Sequence, residues 1–314
     1  MSGEPKSSDA ESSSPGEGLS SGGEASLLGA EWRSWRARLE ALDFHPSKRL
    51  GQNFLLDPNL LEAIARDAQV GPGERVIEVG TGLGFLTRVL LGTGAEVVSI
   101  EVDRRLHAIV NQDLGDHERL ELVRADALAG KHALSEELLA AIGEEEPWHL
   151  VGNLPYSISG PLLAECARAR HPPLSMTVLV QRELAERMGA GVGELGWGPL
   201  GMRLQLSYSV RQLRTLSGAH FRPRPRVESS LVRLERRPDA PSPELLGAVQ
   251  RLSGALFGRR RQVVRRVLGD VMGDREAAVA VLKGVGIAET TRVEALRESD
   301  WLALAAARDW TEVG

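Results

Sequence analysis

Asn153-Leu154-Pro155-Tyr156 sets an amide, an apolar residue, a rigid ring and an aromatic one residue beyond His149-Leu150-Val151, which reads as the end of a buried strand. The Asn side-chain oxygen and the carbonyl of the next residue are two hydrogen-bond acceptors close together. Such a pair can hold both N–H groups of the exocyclic amine of a base. That nitrogen is a poor nucleophile, because its lone pair is delocalised into the ring. Two acceptors favour a more tetrahedral nitrogen and aim its lone pair at an incoming methyl group. Pro155 fixes the bend so that the Leu154 carbonyl points inward. Tyr156 can stack on the base, a contact worth about 1–3 kcal/mol. The chemistry requires no metal and no strong general base. The bland alternative is a plain Asn-Pro turn beside a core tyrosine.

A second constellation is "VIEVGTGLGFLT", which sets Gly80, Gly82 and Gly84 between a strand and a helix. Glycine there permits a tight turn and a close approach of backbone to ligand. The spacing is G-x-G-x-G, not the dinucleotide G-x-G-x-x-G. Glu101 closes the next strand, 21 residues after Gly80, where a carboxylate can accept both ribose hydroxyls. Asp126 closes a third strand, where an adenine amino group needs an acceptor. Glu78 lies inside the first strand and reads as a structural acid. Either Glu101 or Asp126 alone could be a helix N-cap. At successive strand ends they indicate a ligand crevice, and the pattern suits S-adenosylmethionine better than NAD.

Positioning these residues takes a sheet. "PGERVIEVG", "AEVVSIEVD", "LELVRADAL", "PWHLVGN" and "MTVLVQ" read as strands separated by glycine loops and helical segments, one of them near 134–143. This alternation predicts an α/β fold, a doubly wound, mostly parallel, seven-stranded Rossmann-like sheet. "RLQLSYSV" and "SSLVRLERR" are expected to add an antiparallel edge. "LDPNLLEAIARDA" reads as a helix with Asp57 as N-cap and Pro58 at its first position. "EWRSWRARLEAL", 31–42, has helical spacing, and "RRPDAPSP", 236–243, reads as a linker. Expected domains are a tail over 1–30, a ligand-binding domain over 31–237 and a helical domain over 238–314.

Composition narrows the function classes. The hydrophobic fraction is 42% and the charged fraction 26%, enough to build a core. Cys166 is the single cysteine, so an internal disulfide is excluded and zinc-type spacing is missing. A reducing, cytoplasmic setting is the simplest expectation. No apolar run reaches the roughly 20 residues that span a bilayer, and no signal peptide is evident. Residues 1–25, rich in Ser, Gly and Glu, are expected to be disordered. The net charge of −5 hides an asymmetry: residues 203–266 hold 15 arginines against four acids, a balance of +11. That suggests a polyanion partner, although a solvated arginine-rich surface fits equally.

With these motifs in place, the sequence resembles ribosomal RNA adenine N6,N6-dimethyltransferases. "KRLGQNFL", "VIEVGTGLGFLT", "IEVD", "RADAL", "VGNLPYSISGPLL", "LVQRELAERM" and "FRPRPRVESSLVRL" occur in that family's order over about residues 45–270. The likeness is strongest to the small-subunit, kasugamycin-resistance type. It implies methylation by S-adenosylmethionine of two adjacent adenosines near the 3′ end of small-subunit ribosomal RNA, twice each, late in assembly of the immature subunit. No metal or membrane is implied, and a monomer is expected. By motif, Asn53, Leu55, Gly80, Gly82, Glu101, Asp126 and Asn153 would bind the cofactor. Asn153, Leu154, Pro155 and Tyr156 would hold the adenine, with Phe221 stacking from its other side. Arg222, Arg224 and Arg226, and then Arg259, Arg260 and Arg261, would contact RNA phosphates. The base must leave its stack or be met in a loop.

The sequence departs from the family's usual pattern at Ser157, where Asn is usual, at "RRRQV" in place of "RRKTL", and at "GWGPLG" in place of a Tyr-Gly pair. Rival readings are a large-subunit enzyme of the macrolide-resistance type, and a non-catalytic assembly or transcription factor on the same fold. A NAD dehydrogenase is the generic alternative.

Overall fold

The computed structural model describes residues 35–41, 43–47, 50–130, 133–144 and 146–311. The expected tail therefore lies outside the described residues, as do residues 31–34 and 42 of the first expected helix. The chain divides after Asp43 into two compact units. In the first, residues 35–41 form a helix, α1, on which Arg36 reaches Glu40 one turn on at 2.7 Å.

The second unit begins with a short strand, β1 (Phe54–Leu55), and α2 (Pro58–Ala68). Asp57 caps α2 by accepting from the Asn59 N–H, and Pro58 sits where no helical N–H is needed. Then follow β2 (Arg75–Val79), α3 (Phe85–Gly92), β3 (Glu96–Ile100), α4 (Arg104–Leu114), β4 (Leu120–Val123), α5 (Glu136–Ile142), β5 (Trp148–Asn153), α6 (Ser159–Arg168) and β6 (Ser175–Gln181). After α7 (Arg182–Gly189) and α8 (Pro199–Ser207) come β7 (Tyr208–Leu216), β8 (Phe221–Arg222) and β9 (Ser229–Arg236). The chain ends in α9 (Pro243–Phe257), α10 (Val264–Met272), α11 (Arg275–Gly284) and α12 (Glu298–Ala306).

The seven-stranded sheet has the order β4-β3-β2-β5-β6-β9-β7, its first five strands parallel and its last two antiparallel. Alternate residues of each strand serve its two faces. Ile77, Val79, Leu150 and Val178 pack into one core, Val76, Val97, Val151 and Leu179 into another. From β2 the chain winds outward to β4, then returns to place β5 on the other side of β2. The crevice beyond the ends of β2 and β5 is thus the topological switch point, where open α/β sheets bind ligands.

One expectation changes. The stretch "RLQLSYSV" is not one strand, because Arg203–Ser207 belong to α8. Its alternation mimics a strand, but Pro199 starts a helix, and Gln205 Nε2 binds the carbonyls of Met188 and Ala190 at 2.8 and 2.9 Å. The small antiparallel pair β1–β8, which sets Leu55 opposite Phe221, was not legible. The C-terminal helices are as expected and pack around their own core, which includes Val249, Leu268, Leu282 and Trp301. That core reaches back across residue 237 to take in Trp197, Met202 and Leu206.

Candidate active site

A pocket opens at the switch point. It is lined by the segment Leu50–Leu55, by Glu78–Leu83, by Glu101, by Asp126 and by Asn153–Tyr156. It holds about 900 Å³ of empty space, its open mouth included. The structure thus brings together Asn53, Leu55, Gly80, Gly82, Glu101, Asp126, Asn153, Leu154, Pro155 and Tyr156.

The glycine loop is shaped by close approach. Gly80 has φ +89°, and a Cβ there would meet Pro155 Cδ at 3.3 Å; Gly82 has φ +58°, with Phe54 at the same distance. Both conformations favour glycine, and a side chain at either would press on Pro155 or Phe54, so the loop lies as a tight cradle against them.

Glu101 stands one residue past β3. Its Oε2 accepts from the Gly82 N–H at 2.8 Å and its Oε1 from the Asp103 N–H at 2.9 Å. These bonds orient the carboxylate across the loop, and each oxygen keeps a lone pair for a hydroxyl. Burial pushes its carboxyl up to about 7, against the opposing effect of those N–H donors. Glu78 is wholly buried, and burial pushes it up to about 7 as well, though Ser99 and Thr87 hydroxyls donate to its Oε2 at 2.6 Å each. Thr81 on the glycine loop joins the network through Ser99 at 2.6 Å. Asp126 lies three residues past the end of β4 rather than closing it. Its Oδ1 accepts from the Leu128 N–H at 3.0 Å.

Asn153 ends β5. Its Nδ2 donates to the Asn53 carbonyl at 2.9 Å, so its Oδ1 is the acceptor left for a ligand. The Leu154 N–H is held by the Leu179 carbonyl at 3.1 Å, whereas no donor among the described residues reaches the Leu154 carbonyl. The Pro155 carbonyl accepts from the Ile158 and Ser159 N–H groups, which starts α6. Tyr156 is anchored at its hydroxyl, 2.6 Å from Ser229 Oγ on β9, and burial raises its phenol. Its ring therefore has a fixed edge and lines the pocket.

Phe221 is not brought to the pocket. Its ring is wholly buried in the core that contains Leu55, Leu61 and Leu231, because pairing of β8 with β1 turns it inward. The arginines also divide. Arg222 donates to the carbonyls of Ala219 and Phe221 in its own loop, and Arg259 pairs with Asp270 at 2.6 Å. Arg224, Arg226, Arg260 and Arg261 are exposed and have no ion pair among the described residues.

Sequence reasoning missed Gln52, the Thr81–Ser99–Glu78–Thr87 chain and Ser229. Gln52 stood in plain view beside Asn53. Nothing local marks Ser229, which lies 73 residues from its partner.

The lining contains three carboxylates, of Glu78, Glu101 and Asp126, and among the described residues no Lys, Arg or His. Such a pocket suits a cationic ligand and opposes a pyrophosphate.

Residues 44–308 match the ribosomal RNA adenine dimethylase family. This chain belongs to that family. Among its relatives is the ribosomal RNA small subunit methyltransferase A of Phenylobacterium zucineum. It is 39% identical over 270 residues, 86% of this chain and 90% of the relative. The protein of the same name from Caulobacter vibrioides is 38% identical over 261 residues, 83% and 96% of the two chains. A solved dimethyladenosine transferase from Plasmodium falciparum shares the fold with a TM-score of 0.65 at 23% identity, over 79% of this chain and 94% of that one. A 23S ribosomal RNA methyltransferase, ErmE, gives a TM-score of 0.59 at 26% identity, over 81% and 98%.

Proposed function

We propose that this family member transfers methyl groups from S-adenosylmethionine to N6 of two adjacent adenosines near the 3′ end of small-subunit ribosomal RNA, two on each, during late assembly of the subunit in the cytoplasm. The observation that carries the reading is the pair of open acceptors at the end of β5, Asn153 Oδ1 and the Leu154 carbonyl, above a carboxylate-lined pocket. The small-subunit assignment rests on relatives at 39% and 38% identity whose names are of the small-subunit enzyme.

Glu101 would take the ribose hydroxyls, Asp126 the adenine amine and the glycine cradle the methionine end of the cofactor, which supplies an electrophilic methyl when bound. Asn153 Oδ1 and the Leu154 carbonyl each accept one N–H of the target amine. They hold its lone pair out of the ring plane, in line with the donor. Tyr156, held by Ser229, offers one stacking face. Once methylated, the amine is acidic enough to lose its proton to water. Arg224, Arg226, Arg260 and Arg261 are the cations offered to RNA phosphates.

The test is incubation with labelled S-adenosylmethionine and, separately, immature small subunits, large subunits and naked RNA, followed by mapping of the product. Label is expected at two adjacent dimethyladenosines of the small subunit. Label confined to the large subunit would favour the macrolide-resistance reading, and no label anywhere would refute both. Asn153→Ala is expected to lower transfer about 100-fold or more while RNA binding persists.

A further inference from the structure

The segment Leu50–Leu55 crosses the pocket and touches the loops that follow β2, β3 and β5. A Cβ on Gly51 would meet the Tyr156 nitrogen at 3.3 Å. Phe54 packs on Gly82, and the Asn53 carbonyl orients the Asn153 amide. Such a short segment, with only two residues in a strand, needs an anchor. Gln52 supplies it from both ends of its amide. Its Oε1 accepts from the Ser47 N–H at 2.6 Å, and its Nε2 donates to Asp103 Oδ2 at 2.9 Å. A backbone N–H can only donate, so the orientation of this amide is fixed by chemistry. Asp103 is itself a junction. Its Oδ1 caps α4 through the Arg105 N–H, and its own N–H binds Glu101 Oε1.

We propose that Gln52 and Asp103 are positioning residues, a polar latch that clamps residues 50–55 across the pocket and couples the turn holding Glu101 to the carbonyl that aims Asn153. The latch crosses from the loop before β1 to the start of α4, a separation of 51 residues. Its role for the cofactor rests on the proposed function. Its existence as a clamp does not.

The polarity of the latch gives the test. In Gln52→Glu the new carboxylate still accepts from Ser47 but faces Asp103 with like charge. In Asp103→Asn the new side chain still caps α4 but loses the charge that Gln52 binds. The double variant Gln52→Glu/Asp103→Asn restores the bond with donor and acceptor exchanged, at unchanged net charge. Amide hydrogen exchange over residues 50–55 is measured in full-length protein without ligand, together with the Kd for S-adenosylmethionine. Each single variant is expected to speed exchange in that segment and weaken binding about tenfold, equivalent to about 1.4 kcal/mol. The double variant is expected to recover both. Single variants that exchange like wild type, or a double variant no better than the singles, would overturn the latch. Wild-type protein that binds no S-adenosylmethionine would overturn the cofactor reading instead, with the exchange result still deciding the latch.

Discussion

Glu78 and Glu101 show how burial can prepare a ligand site while making the empty fold less stable. Each carboxyl titrates near 7 in the folded chain, against an ordinary 4.5. The folded state therefore binds more protons than the unfolded state between those values. The stability this contributes is full below about 4.5 and is lost as pH rises through about 7. The thermal midpoint of the ligand-free protein is thus expected to fall between about pH 5 and pH 8. Glu78→Gln and Glu101→Gln should each flatten part of that slope. A slope unchanged in both variants would assign it to other groups. A cationic ligand reverses the balance, since it interacts best with the ionised acids.

At the scale of elements, α8 shows where the pattern of a segment misleads. Its N-terminal half lies so close to the end of α7 that a Cβ on Gly201 would overlap the Arg187 carbonyl oxygen. The glycine is thus required by contact rather than by backbone conformation. Gly201→Ala must push the two helices apart, an overpacking cost of about 1–3 kcal/mol. The expected outcome is a lower thermal midpoint, with circular dichroism still showing a folded chain. A midpoint equal to wild type would mean that α7 and α8 separate freely. The same stretch, "GWGPLG", is one of those that depart from the family's usual pattern. Here it serves the joint between the sheet and the C-terminal helices, because Trp197 and Met202 enter the helical core.

Over the whole molecule, charge is distributed unevenly, and the structure sorts the arginines by what they already bind. Arg233 is buried and commits its guanidinium to the carbonyls of Asp67 and Ala68, which close α2, each at 2.7 Å. Arg259 and Arg265 pair with Asp270 and Glu289. Arg260 and Arg261 are exposed beside them. Replacing both with Ala is expected to weaken RNA binding and to reduce the slope of log K against log salt by about one for each phosphate that is no longer neutralised. Binding measured from low to moderate salt checks it. An unchanged slope would move the RNA face elsewhere, with Arg224 and Arg226 next in line. Arg259→Ala should instead lower stability.

The strand-helix alternation, the glycine loop, the acids after β3 and β4 and the Asn153–Tyr156 turn were all legible in the sequence, because each depends on residues close together in the chain. Hydrophobic alternation, turn chemistry and motif spacing are local properties, and they also carried the family likeness. The tertiary structure alone decided what depends on distant partners. It placed Phe221 in the core through the β1–β8 pair, anchored Tyr156 on Ser229 and turned the Asn153 amide toward Asn53. It made Arg203–Ser207 helical against the pull of their alternation. It also gave Arg222 two carbonyl partners in its own loop and paired Arg259 with Asp270. A side chain's donors and acceptors are satisfied by whatever the fold brings near, and that neighbour is set by packing over many residues rather than by the local pattern.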